Sequence, residues 1–197
     1  GLNLGSTFNQ DISAWDVSNV TNMYAMLYNT STFNQDISGW NTAAVNNMAD
    51  MFHGATSFNQ DISSWNTAAV TDMERMFLQD TSFNQDISGW NTAAVTKMTN
   101  MFYGASAFNQ NINTNGNSWN TAAVTNMADM FHGATSFNGN ISLWNTAAVT
   151  TMSHMFHSTP FNQDISDWNT AAVTDMNAMF YNASASVSYT HLRAHET

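Results

Sequence analysis

Five aspartates recur at one place in a repeated pattern: Asp11, Asp36, Asp61, Asp86 and Asp164 each stand directly before an isoleucine. Asn111 and Asn140 take that place in two further copies. If the copies stack, the column becomes a carboxylate stripe with steps of about 5 Å. Like charges at that spacing repel unless solvent or a cation lies between them. A hard cation such as Ca2+ takes several oxygens at once, so calcium is the ion this stripe could attract. Neither an EF-hand spacing nor a glycine-rich nonapeptide accompanies it. The reading that fits is a solvated acidic binding face, with no dedicated metal site and no cofactor.

Other residue types with chemical capacity resolve into structure. His154 and His157 are three apart, a spacing that can bring two ligands to one helical face. Both occupy variable slots of the pattern, as exposed residues do. All 14 methionines fall into M-x-x-M pairs, such as Met73/Met76 and Met98/Met101. Thioethers bind soft metals, but methionine beside phenylalanine at helical spacing fills core gaps and packs on rings. A threonine array at Thr42, Thr67, Thr92, Thr121, Thr146 and Thr170 raises an ice-binding surface as an alternative, although a T-x-T strand pairing is missing. No Ser–His–Asp grouping and no glycine-rich phosphate loop breaks the pattern, so no enzyme is expected and no catalytic residue is assigned.

These residues are positioned by a unit of about 25 residues, typified by SFNQDISGWNTAAVTKMTNMFYGA at 82–105. Seven copies start near Phe8, Phe33, Phe58, Phe83, Phe108, Phe137 and Phe161. A fixed period of this size marks a solenoid of stacked supersecondary units. Each copy carries one of the seven tryptophans and one methionine pair, so nearly every large apolar residue is a repeat position and belongs to the core.

Two elements are expected within a unit. The segment around Asp-Ile-Ser reads as a short strand with isoleucine inward, ending in a bend that carries tryptophan inward. Val70, Met73, Met76 and Phe77 sit at i, i+3, i+6 and i+7, the spacing of one helical face. Thr71 and Glu74 have capping-box spacing, and Gly54, Gly104 and Gly133 fall where a helix ends in a left-handed residue. In the fifth copy NINTNGNSW replaces DISxW, four extra polar residues expected to bulge as a loop around Asn115 and Gly116. Residues 1–186 thus form the repeat region, and 187–197 (VSYTHLRAHET), which holds no repeat position, reads as translated sequencing-adapter sequence.

The unit FNQDISAWDVSNVTNMYAML resembles the repeat of BspA-like leucine-rich-repeat surface proteins, over residues 8 to about 183. The resemblance implies a leucine-rich-repeat-like α/β solenoid, with one short strand and one short helix in each of seven repeats. It also implies a fragment of a cell-surface or secreted protein, serving non-catalytic adhesion or protein or glycan binding. A purely structural surface spacer is a further alternative. The variable slots before tryptophan (Ala14, Gly39, Ser64, Gly89, Leu143, Asp167) join the five aspartates as positions that would set specificity.

Composition narrows the partners. Fourteen acidic residues against three basic ones give a net charge of −11, which repels nucleic-acid phosphates and anionic lipid. The absence of cysteine removes disulfides and thiolate metal sites. No apolar run approaches the roughly 18 residues of a membrane span, and any signal peptide would lie upstream of Gly1.

Overall fold

The computed structural model describes residues 5–114 and 118–184. The adapter-like segment 187–197 and the loop expected around Asn115 and Gly116 lie outside the described residues.

The third copy, 58–82, shows how one coil is built from the sequence upward. Asp61 accepts the Ser63 N–H at 2.9 Å, and Asn66 accepts the Ala68 N–H at 3.1 Å. Short carboxylate and amide side chains close turns of this kind on the backbone two residues ahead. Between them the Trp65 N–H reaches the Ile62 carbonyl at 3.2 Å, and the Val70 N–H reaches Thr67 at 2.9 Å. These turns swing Ile62, Trp65 and Val70 inward, where all three are buried. Asp-Ile-Ser is therefore a turn and not a strand, and the bend that brings tryptophan inward is its second half.

The methionine segment departs furthest from expectation. Among the described residues there is no helix, and the only strand-like features are single parallel bridges: Asn22, Asn47, Asp72 and Lys97 in one column, Asn126, Thr151 and Asp175 in another. In the third coil the N–H groups of Met73, Arg75, Phe77 and Gln79 donate to Lys97, Thr99, Met101 and Tyr103 of the next coil, at 3.0, 3.0, 2.9 and 2.6 Å. The alternate N–H groups of Met76, Leu78 and Asp80 turn back to Met73, Arg75 and Phe77 within the coil. Arg75 and Gln79 carry φ of 56° and 57°, and the equivalent residues of other coils are likewise left-handed. Overlapping turns with a left-handed third residue, as in type II turns, thus replace the helix.

The α/β solenoid with one strand and one helix per repeat is corrected accordingly. The physical reason lies in the accounting of polar groups. A two-turn helix leaves most of its N–H groups and carbonyls without intrahelical partners and is marginal alone. Alternating turn and ladder gives each N–H a partner, half of them in the next coil. Thr71 caps no helix: its hydroxyl and N–H both reach back to the Asn46 carbonyl, and Asp72 closes the turn on Glu74 N–H. Gly54, Gly104 and Gly133 are left-handed as expected, at φ of 67–70°, but inside this turn chain.

Stacking the coils aligns like with like. Phe58 and Phe83 lie 6.1 Å apart, Phe52 and Phe77 5.5 Å, Trp65 and Trp90 6.5 Å, the rings of each pair stacked nearly parallel. Phe77 also meets Phe83 at 4.0 Å, joining two of these columns. The methionine pairs are core as expected, apart from partly buried Met26 and exposed Met176. Polar side chains rivet the stack: Asn59 N–H donates to the Asn34 side chain at 3.0 Å, and Thr67 Oγ1 to the Asn91 carbonyl at 2.9 Å. The Trp65 indole N–H reaches Ile37 O at 3.1 Å.

Candidate interaction face

The five expected aspartates are all exposed and stand at equivalent places in their coils. Asp11, Asp36, Asp61, Asp86 and Asp164 each accept the N–H of the serine two residues on, at 2.9 Å. That bond is a turn closure, so every one of them has a structural task in its own coil. Hydrogen bonds from the paired serine hold the Asp11, Asp36 and Asp61 carboxyls below the usual range. At Asp36 the neighbouring charges of Asp11 and Asp61 push the other way, behind the serine bonds. At Asp36 that repulsion is weaker than the turn chemistry. The slots before tryptophan, Ala14, Gly39, Ser64, Gly89, Leu143 and Asp167, are exposed on the same turn.

A second face comes from the methionine segment. Apart from Asp-Val-Ser-Asn-Val in the first unit and the changes of the fifth and sixth, the units are near copies from phenylalanine through Asn-Thr-Ala-Ala-Val, and further differences concentrate between and just after the methionines. The ladder leaves most of these variable side chains half-buried or exposed at the surface, while Ala49 and Asp50 are buried. Asp50, buried in the second coil (33–57), is gripped from the third by Arg75, whose Nε and a terminal nitrogen each lie 2.9 Å from a carboxylate oxygen. His53 Nδ1 stands 2.9 Å from the same carboxylate, and Arg75 also engages Glu74. Burial pushes the Asp50 carboxyl up, but the bonds from Arg75 and His53 outweigh it and hold it below its ordinary value of 3.8. Lys97 Nζ meets Asp72 at 2.9 Å.

Further along, the face becomes aromatic and imidazole-rich. Tyr28 packs against His53 with ring centroids 4.6 Å apart, and Tyr103 against His132 at 4.5 Å. His132 and His157 meet at a tilt, centroids 4.1 Å apart, and His157 and Tyr181 stack at 5.1 Å. His154, one row over, lies 6.0 Å from His132 and 5.8 Å from His157. The structure therefore brings together the histidine pair singled out by spacing and adds His132 to it. Burial, then the neighbouring His132 and His154, lowers the His157 pKa. Among the described residues no group of three or more His, Cys, Asp or Glu is arranged to hold a metal ion. Asp129 is 2.8 Å from His132, whereas Ser158 is 3.0 Å from His157. Acid and hydroxyl thus sit on different imidazoles and form no relay.

The threonine array on which ice binding would rest is largely internal. Thr42, Thr67, Thr92, Thr121 and Thr146 are buried, their hydroxyls donating to carbonyls of the next coil, and only Thr170 is exposed. No helix among the described residues is long and apolar enough to cross a membrane. The column of outward rings at Tyr28, His53, Tyr103, His132, His157 and Tyr181 escaped sequence reasoning. Its signal was present: one variable slot, five residues after the first methionine, filled by Tyr or His in all but the leucine-bearing third unit.

The chain matches the sequence profile of the family DUF285, described as Mycoplasma protein of unknown function, over residues 3–115 and 111–190. No curated protein and no solved structure matches it. The match corrects the resemblance to BspA-like leucine-rich-repeat proteins, and the coil of turns corrects the leucine-rich-repeat label that came with it. The aspartate turn that replaces the strand is written in the same FNQDIS segment that carried the resemblance.

Proposed function

We propose that this chain, which belongs to the DUF285 family, is a non-catalytic binding protein that takes a protein or glycan ligand along the outward face of its methionine segments. One observation carries the reading: units that are otherwise near copies differ where the ladder leaves most side chains at the surface. A spacer has no use for such localised difference, and a recognition surface does. The aromatic and imidazole column supplies amphipathic contact area, and Asp72 and Glu74 of the same segments supply polar contacts. Location at a cell surface is part of the proposal. It is supported by the cysteine-free, acidic composition, and protease shaving of intact cells tests it.

Binding is tested by screening the purified chain on glycan and protein arrays, then repeating any hit with Tyr28→Ser, Tyr103→Ser and His157→Ser combined. Loss of binding with unchanged circular dichroism supports the ladder face. Loss instead on combining Asp36→Asn, Asp61→Asn and Asp86→Asn moves the site to the aspartate stripe. An array without hits favours a spacer. If millimolar calcium leaves the melting temperature and the hits unchanged, the stripe recruits no cation.

A further inference from the structure

The coil position that follows the second left-handed residue is occupied by Thr30, Ala55, Asp80, Ala105, Ala134 and Thr159, all buried. At each, the backbone N–H turns back to the carbonyl three residues earlier. Both threonines add a second bond to that same carbonyl. Thr30 Oγ1 donates to Leu27 O at 2.7 Å, and Thr159 Oγ1 donates to Phe156 O at 2.8 Å. The slot therefore presents a carbonyl lone pair to whatever side chain fills it, and it rewards a donor.

Asp80 fills the slot in the third coil and is fully buried. One carboxyl oxygen accepts the Ser82 N–H at 3.3 Å, and the other has no partner. By the pattern of Thr30 and Thr159, the side chain in this slot meets the carbonyl three residues earlier, here Phe77, and an ionised carboxylate would have no proton to offer it. A buried charge without a partner is the costliest arrangement a core can hold, whereas a carboxylic acid donates as threonine does. We propose that Asp80 is held in the folded chain as a neutral acid donating its proton to the Phe77 carbonyl, making the third coil a built-in pH-sensitive joint that loosens as the solution becomes more alkaline.

The surroundings agree. Burial pushes the Asp80 carboxyl well up, opposed only by the backbone N–H groups of Ser82 and Phe83, and no charged side chain takes part. Flanking coils place Ala55 and Ala105 at its level. The charged groups of the neighbouring ladder are engaged elsewhere: Asp72 with Lys97, and Glu74 and Asp50 with Arg75. The sign follows from linkage. Where the unfolded chain has lost this proton and the folded chain keeps it, stability falls as pH rises. The loss begins near the ordinary carboxyl value of 3.8 and continues up to the raised folded value. Asp80 directly follows Gln79, whose N–H ties this coil to Tyr103 at 2.6 Å, so that tie borders the joint.

The test compares thermal unfolding of the intact chain and Asp80→Thr from pH 4 to pH 8. The variant places the side chain of Thr30 and Thr159 in the slot and keeps the donor. The gap in Tm between variant and parent should widen with pH, reaching roughly 2–4 °C or more at pH 8. Parallel profiles would overturn the proposal. If the variant fails to fold, carboxyl-carbon NMR titration of the parent decides. A signal for Asp80 that titrates well above the exposed aspartates sustains the neutral acid, and one that titrates with them sinks it.

Discussion

Arg75 does at the residue scale what no other side chain of the ladder face does. It spans two coils and neutralises a buried carboxylate through a two-pronged contact with Asp50. Removing one partner of a buried pair leaves an uncompensated charge, here softened because the Arg75 side chain is 36% exposed. Arg75→Ala should cost about 1–3 kcal/mol in chemical denaturation at neutral pH. Glu74→Ala, which removes only the outer contact, should cost less than about 1 kcal/mol. The pH dependence separates charge from packing. Asp50 is held below its ordinary 3.8 in the folded chain, so its contribution is complete above that value and fades as pH falls below it. The gap between parent and Arg75→Ala should therefore narrow on acidification below about pH 4, and a constant gap would show that Arg75 acts by packing alone.

At the scale of the element, the methionine segment was legible in its burial and not in its backbone. Val70, Met73, Met76 and Phe77 point inward as their spacing required. Spacing of i, i+3, i+6 and i+7 describes which residues share a face, and a helix and a chain of three-residue turns satisfy it equally. The decision falls on the left-handed positions, where side chains other than glycine sit at a cost of about 1–3 kcal/mol. Gly54, Gly104 and Gly133 announced one such position per coil, while Arg75, Asn100 and His154 at the other carried no signal. Gln79 stands where those glycines stand in other coils. Gln79→Gly should relieve its strain and raise stability by up to about 1 kcal/mol, read from the urea midpoint. A loss of comparable size would mean that the left-handed turn carries no strain there.

The whole molecule behaves as a row of nearest-neighbour contacts, and its weak link is visible. Between the fourth coil (83–107) and the fifth (108–136), the phenylalanine columns continue, with Phe83 and Phe108 6.1 Å apart. The tryptophan column does not: among the described residues Trp90 and Trp119 form no ring pair, and the buried Trp119 indole N–H has no partner, where other coils donate to an isoleucine carbonyl. No bridge joins Lys97 to Asn126 among the described residues. The four-residue excess of the fifth unit coincides with all three interruptions. Replacing 113–118 by Ser-Gly, as in the second and fourth units, should give Trp119 an Ile87 carbonyl and stabilise the chain by about 1–3 kcal/mol. Hydrogen exchange would show the fourth and fifth coils opening together in the variant. Unchanged exchange at that junction would place the weak link elsewhere.

The sequence alone determined the period, the inward residues and the recurrence of the aspartates, because each depends on side-chain type recurring at a fixed interval. Trp65 and Phe77 had to be core in any stack that buried them. The sequence could not tell how each backbone N–H would be satisfied, since turn, helix and ladder all accept these residues locally. That choice was made by the neighbouring coil: Asn47, Asp72 and Lys97 each meet their counterparts 25 residues away. Only the stacked structure puts His132 beside His154 and His157, sets Arg75 on Asp50, and buries Asp80. These contacts join residues of different coils, or depend on a turn that exists only when the coils are stacked.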